Sequence, residues 1–355
     1  MVQDLIPPTE IEGTPPPLPS TRYQGSKAKL MPWIWEHLKQ LDFTTVLDAF
    51  GGSGVVSYWL KRHGKQVTYN DYLRFNYYLG LAIIENPQTT LAESEIWNLV
   101  TPAAEKKYRC FIAETFSGIY YTDAENQWLD MVVQNLEDLD NVYKKAVGYY
   151  ALIQACLVKR PFNLFHRSNL YLRLANVPRS FGNKATWDKP FEEHFRSFVA
   201  EANRLVFDNG LPHRALNKDV FELEGNYDLV YLDPPYTAAS GGTVNYLDFY
   251  HFLEGLVNYD HWPEWIDFTT KHRRLKLAPN PWNDRKRVRE SFRAMFEKFR
   301  DSILVVSYRS DGLPSVEAIA ADMQLLKRHV SVVHFDGYRY VLSPKRAAEV
   351  LVIGE

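Results

Sequence analysis

The sequence predicts an α/β protein built on a doubly wound, mostly parallel sheet that a largely helical insertion interrupts. Short apolar runs alternate with amphipathic stretches of helical period, the order expected when parallel strands are joined through helices. A glycine turn and a proline turn each stand at the end of an apolar run, where a strand hands over to a loop or helix. Residues 96–189 break this rhythm with helical-looking pieces and a loop-like run.

Residues 1–20 hold Pro7, Pro8, Pro15, Pro16, Pro17 and Pro19 among acidic and small residues, a composition that cannot bury a core and predicts a flexible arm. From Thr44 a strand over 46–50 leads into Gly51-Gly52-Ser53-Gly54, a helix over 55–63 and a strand over 66–69, which together form a βαβ unit. Further strands are expected over 227–232, 302–307, 330–333 and 349–353, with helices over 191–207 and 315–326 between them. Helices over 126–141 and 143–158 belong to the insertion. The expected division is a catalytic domain of 21–95 plus 190–355, carrying a module of 96–189.

The chain has 355 residues, 46% of them hydrophobic and 24% charged, which suits one large domain with an insertion. A formal net charge of -2 excludes a protein that holds nucleic acid by bulk positive charge, so any such contact must come from a local basic face. Cys110 and Cys156 are the two cysteines and stand in unrelated contexts, which suggests neither a disulfide framework nor a zinc site. No metal is expected. No apolar run reaches the roughly 18 residues of a spanning helix, so a cytoplasmic protein is expected.

Gly52 and Gly54 stand where backbone must approach a ligand closely. Asp71 follows Tyr69-Asn70 at the end of the next strand, where a carboxylate can accept both hydroxyl hydrogens of a ribose. A nicotinamide oxidoreductase would use the same geometry, but Ser57 stands where its fingerprint wants Gly or Ala. Asp48 is also a poor neighbour for a pyrophosphate and a good one for the ammonium of a methionine moiety.

Asp233-Pro234-Pro235-Tyr236 follows an apolar strand, at the edge where open α/β sheets place ligands. An amino group on a nucleic-acid base is a poor nucleophile because its lone pair is delocalised. The Asp233 carboxylate and the Pro234 carbonyl could each accept one of its N–H groups, and two prolines aim that carbonyl beforehand. Tyr236 could stack on a base flipped out of a duplex. Methyl transfer from a sulfonium then needs no metal and no covalent enzyme intermediate.

The motifs, taken together, resemble the D12-class (alpha-group, Dam-like) adenine-specific DNA methyltransferases over residues from about 21 to 354. Arg22-Tyr23-Gln24-Gly25-Ser26-Lys27 is similar to the family's N-terminal cofactor motif, and Asp48-Ala49-Phe50-Gly51-Gly52-Ser53-Gly54 to its glycine motif, with Ala49 where Pro is common. Asn70-Asp71 resembles the ribose motif and Lys218-Asp219-Val220-Phe221 the segment against the cofactor's adenine. The tetrapeptide, Phe249-Tyr250-His251-Phe252-Leu253-Glu254, Ser307-Tyr308-Arg309-Ser310-Asp311-Gly312 and Tyr338-Arg339-Tyr340 complete the order.

The resemblance implies a Rossmann-like methyltransferase fold that uses S-adenosylmethionine, held by Tyr23, Lys27, Asp48, Phe50, Gly52, Gly54, Asp71, Asp219 and Asp233. Asp233, Pro234 and Tyr236 would hold the target, the 6-amino group of an adenine in double-stranded DNA. The insertion would recognise the site, with Lys159, Arg160, His166, Arg167, Arg173 and Arg179 as phosphate or base contacts. A second basic run, which includes Lys271, Arg273, Arg274, Lys276, Arg285, Lys286, Arg287, Arg289 and Arg293, reads as an ordinary charged face. The expected setting is prokaryotic or phage, as a monomer on DNA with or without a cognate restriction endonuclease. Methylation of a cytosine or RNA amino group and a non-catalytic DNA-binding subunit are the alternatives.

Overall fold

The computed structural model describes residues 18–20, 22–175, 184–238, 244–276, 278–335 and 348–355. Nine strands occur in chain order among them: β1 Thr45–Asp48, β2 Gln66–Asn70, β3 Arg214–Leu216, β4 Leu229–Leu232, β5 Thr237–Ala238, β6 Ile303–Arg309, β7 Gly312–Leu313, β8 Val330–Phe335 and β9 Glu349–Gly354. Seven form one sheet in the order β3-β2-β1-β4-β6-β9-β8, while β5 and β7 pair as a short antiparallel ribbon.

From β3 to β6 all neighbours are parallel, and β9 runs antiparallel between β6 and β8. Strand β1 is the point of reversal, because the chain builds outward from it through β2 and β3 on one side and through β4 and β6 on the other. The crevice at the carboxyl ends of β1 and β4 is therefore where such a sheet takes a ligand.

Alternation along the strands divides the core between the sheet's two faces. Leu229 and Tyr231 of β4 join one apolar cluster, whereas Val230 and Leu232 join the other. All six residues of β9 are buried, as expected for a strand covered on both faces. The helix Val55–Arg62 follows the glycine turn, and the helices Asp123–Glu137 and Val142–Val158 occupy the insertion, close to their expected spans. No strand lies between β2 and β3 among the described residues.

Strands β3 and β4 show where expectation and structure part. Strand β3 has three residues at the sheet's edge with one exposed position, too short for a period of two to register. The strand expected from residue 227 begins at Leu229, because Asp228 instead accepts the Thr44 and Thr45 amides at 2.8 and 2.7 Å.

Candidate active site

The glycine turn is set by its neighbours. Ala49 N donates to Tyr231 O at 3.1 Å and Gly51 N to Asn70 O at 2.8 Å, so the turn grows out of the sheet's own ladder. A Cβ on Gly51 would lie 2.0 Å from the Tyr69 ring, so packing fixes that glycine. Gly52 and Gly54 take φ of 50° and 73°, the left-handed region, and Gly54 opens the helix Val55–Arg62. Gly52 N then donates to Asp71 Oδ2 at 2.9 Å, while Leu73 N donates to Oδ1 at 2.8 Å. These two amides hold the Asp71 carboxylate at the end of β2.

One pocket takes in Tyr23, Lys27, Asp48, Phe50, Gly52, Asp71, Asp219 and Asp233 of the expected residues. Gly54, Pro234 and Tyr236 are not among its lining residues. Asp48 is buried and accepts the Ser57 hydroxyl at 2.7 Å. That bond is the use for a serine where a dinucleotide fingerprint wants a small apolar residue. Burial, with Asp233 and Asp71 nearby, pushes the Asp48 carboxyl up to about 7 even though Ser57 pulls it down. Burial likewise pushes Asp71 up to about 6 against the amides that stabilise its charge.

Lys27 Nζ lies 3.1 Å from Asp233 Oδ1 and 2.8 Å from Glu349 Oε1, so one ammonium bridges two carboxylates. The Asp233 carboxyl is pushed up to about 6, mainly by burial and further by Glu349, with Lys27 opposing. Glu349 is fully buried at the start of β9 and also accepts the Ser307 hydroxyl at 2.7 Å. None of the motifs marks it as a site residue, although an acid heading the otherwise apolar run Glu349–Gly354 is the available signal.

Aromatic rings form part of the wall. Tyr23 stacks on Tyr246 at 5.5 Å between centroids and on Tyr250 at 4.9 Å, with interplanar angles of 1° and 11°. Phe50 meets Trp282 edge-on at 5.0 Å. Trp282 and its neighbours Ala278 to Asn283 line the pocket, a stretch that carries no motif. Asp219 accepts the Phe221 amide at 3.1 Å, which positions the short 3-10 turn Val220–Glu222.

Asp233 leaves β4 into the pocket, and Pro234 is buried. The Tyr236 hydroxyl accepts a hydrogen bond from Arg309 Nη1 at 3.0 Å, and the guanidinium stacks 4.6 Å from the ring centroid. Arg309 is itself forked onto Asp311 at 2.9 and 2.8 Å. Its segment, 307–312, therefore fixes the tyrosine of the tetrapeptide. The helix Tyr246–Leu256 forms the adjoining wall and carries Glu254, whose carboxylate accepts the Arg74 and Phe75 amides at 3.1 and 3.2 Å.

The basic residues expected on the DNA surface divide sharply. Lys159, Arg160 and Arg173 are buried, which corrects their expected placement. Lys159 and Arg173 both pair with Glu125, at 2.8 and 2.7 Å, and Arg160 donates to the carbonyls of Leu164, Arg167 and Ser168. Sequence could not separate cations that hold the insertion together from cations that face outward. Arg167 is exposed and His166 half-buried, whereas Arg179 and Tyr338-Arg339-Tyr340 lie outside the described residues. His251, with Tyr120 Oη at 2.9 Å and Phe165 O at 3.1 Å, is structural.

The D12 class N6 adenine-specific DNA methyltransferase family model matches residues 23–261. The chain is 30% identical over 326 residues to the type II methyltransferase M2.HphI of Haemophilus parahaemolyticus, covering 90% of this chain and 91% of that protein. It is 25% identical over 311 residues to the type II methyltransferase M.NlaIII of Neisseria lactamica, covering 83% and 85%. The type II methyltransferase M.FokI of Planomicrobium okeanokoites is 25% identical over 327 residues, 87% of this chain and 47% of that longer protein.

Proposed function

The chain belongs to the D12 class of N6 adenine-specific DNA methyltransferases, and from that premise we propose that it methylates a flipped adenine in double-stranded DNA as a type II modification enzyme using S-adenosylmethionine. The observation that carries this reading is the charge of the pocket. Asp48, Asp71, Asp219 and Asp233 line it against Lys27 as the one cation among the lining residues described, and Lys27 is already shared between Asp233 and the buried Glu349. Such a cluster suits a ligand that brings positive charge and repels a dinucleotide, whose phosphates would add to the negative excess.

S-adenosylmethionine fits that requirement, since it carries an ammonium and a sulfonium, and it supplies the methyl group. Asp71, held by two backbone amides, is the acceptor for ribose hydroxyls. Asp48 faces the ammonium, with Ser57 fixing its orientation. Tyr23 and Phe50 provide aromatic contact, and Asp219 lines the pocket toward Trp282.

Asp233 and the Pro234 carbonyl accept the N–H groups of the target amine. They favour the positive charge that develops on nitrogen as the methyl arrives. Lys27 keeps the Asp233 carboxylate ionised and fixed, while Glu349 shares that lysine so the acceptor oxygens are not wholly neutralised. Tyr236, braced by Arg309, offers a ring for stacking on the base, worth about 1–3 kcal/mol against the cost of flipping it. A cognate endonuclease would cut the same sequence when it is unmethylated.

The test is incubation of the purified chain with labelled S-adenosylmethionine and duplex DNA, followed by mass spectrometry of the nucleosides. N6-methyldeoxyadenosine is expected. Asp233→Ala should lower transfer by roughly a hundredfold or more. Methylated cytosine, a product confined to RNA, or no transfer by the isolated chain would overturn the reading.

A further inference from the structure

The helix Tyr246–Leu256 does more than wall the pocket, because two loops are pinned side by side on it. Phe165 N donates to Phe249 O at 2.8 Å, which fastens the loop that carries Arg167. Tyr120 Oη then lies 2.6 Å from Phe165 O, 2.8 Å from His272 O and 2.9 Å from His251 Nε2. One buried hydroxyl, whose single proton can serve either carbonyl, thus sits between the loop of the insertion and a second loop, residues 267–274, far away in sequence.

That second loop is built to keep its shape. An antiparallel bridge between Ile266 and Leu275 closes its base, with Asp267 N donating to Arg274 O and Lys276 N to Trp265 O, both at 2.8 Å. Arg273 turns with φ of 56° and its Nη1 donates to Phe268 O at 2.7 Å. Shortly beyond, Ala278 begins the stretch that lines the pocket. The loop therefore runs from beside the Tyr120 hydroxyl to within two residues of Ala278 on the pocket's lining.

From Ile266 to Lys276 the sequence carries Lys271, Arg273, Arg274 and Lys276 against the single acid Asp267. Within the loop Arg274 Nε lies 3.5 Å from Asp267 Oδ2 and Lys276 Nζ donates to Glu264 O at 2.9 Å, while Lys271 is exposed; further along the run Arg289 and Arg293 both bond to Asp322, at 2.8 Å each. We infer that the loop 267–276 is a second DNA-contacting element, which grips backbone phosphates beside the flipped base and lies outside the insertion expected to recognise the site. The inference rests on the pocket acting on adenine in DNA. It also accounts for where the grip comes from once Lys159, Arg160 and Arg173 are spent on internal contacts.

Phosphate contacts release counterions, so each one adds about 0.9 to the slope of log affinity against log salt and favours no sequence. The experiment compares wild type with Lys271→Ala/Arg273→Ala and Lys271→Glu in fluorescence anisotropy over a range of salt. Duplexes with and without the target adenine are used. Arg300→Ala is the control for removal of a charge, since Arg300 pairs with Glu297 and leads into β6 from the end of the sheet opposite the pocket.

Both loop variants should bind S-adenosylmethionine as wild type does, which reports an intact fold. Their salt slopes should be shallower by about 0.9 for each phosphate that the loop no longer neutralises, equally on both duplexes. The Lys271→Glu variant, which leaves Arg273 in place, guards against collapse of the loop as the cause. A wild-type enzyme that methylates adenine, alongside loop variants with unchanged slopes or a loss no greater than that of Arg300→Ala, overturns this inference alone. A wild-type chain that transfers no methyl to DNA overturns the reading of the pocket, and this inference with it.

Discussion

Asp48, Asp71 and Asp233 are costly to ionise because burial opposes their charge more than Ser57, the Gly52 and Leu73 amides and Lys27 relieve it, and a cationic ligand would relieve them further. Their carboxyls are pushed up to about 7, 6 and 6. Affinity for S-adenosylmethionine should therefore weaken as pH falls through 7 toward 5, as each carboxylate takes up the proton that replaces the ligand's charge. Calorimetric titration at a series of pH values checks this, and a flat profile would contradict it. The stability consequence has the opposite sign. A carboxyl whose folded value exceeds its unfolded one stabilises the fold below the unfolded value, and that contribution is lost as pH rises through the folded value. For Asp48, moving from 3.8 to about 7, the loss is on the order of a few kcal/mol above pH 7. Asp48→Asn keeps an acceptor for Ser57 and removes the charge, so it should melt a few degrees higher than wild type at pH 8. It should also bind the cofactor poorly.

At the scale of elements, the pocket's walls hold one another in place. Glu254 on the helix Tyr246–Leu256 caps the first amides of the helix Arg74–Gly80, which starts just beyond the Asp71 turn. Glu254→Ala leaves those two amides without their charged acceptor and should cost about 1–3 kcal/mol, measured as a lowered denaturant midpoint. The turn at Asp71 should loosen with it, so cofactor affinity should fall although Glu254 is not one of the pocket's lining residues. Loss of stability with unchanged affinity would separate the two walls. Sequence made the βαβ unit legible because its strands are apolar and a left-handed turn joins strand to helix at Gly52 and Gly54. The same pattern could not reveal that Gly51 is required by the Tyr69 ring, because that contact depends on how the two strands pair. Nor could it find Trp282, which lines the pocket, or Glu349, which reaches Lys27 on the pocket wall, because both arrive from segments distant in sequence.

At the scale of the whole molecule, the sheet and the pocket at its carboxyl edge were legible, while the role of the insertion's charges was not. Periodicity reports which face a helix buries, but it is silent on whether an arginine in a loop turns inward. Glu125 decides that question for Lys159 and Arg173. Although burial pushes its carboxyl up, the hydrogen bonds from Arg173 and Lys159 hold it below its ordinary value. It also closes the capping box at Thr122, which starts the helix Asp123–Glu137. Removing it leaves two buried cations without their counter-charge, a loss of about 3–5 kcal/mol by the behaviour of broken buried pairs. The damage should stay within the insertion, because the pocket's carboxylates are held by the sheet and by the helices beside it. For Glu125→Ala, hydrogen exchange should therefore accelerate over 159–173 while amides over 48–71 keep wild-type protection. S-adenosylmethionine should still bind, and methylation of DNA should be lost. Equal acceleration in both regions would mean that insertion and sheet unfold as one unit.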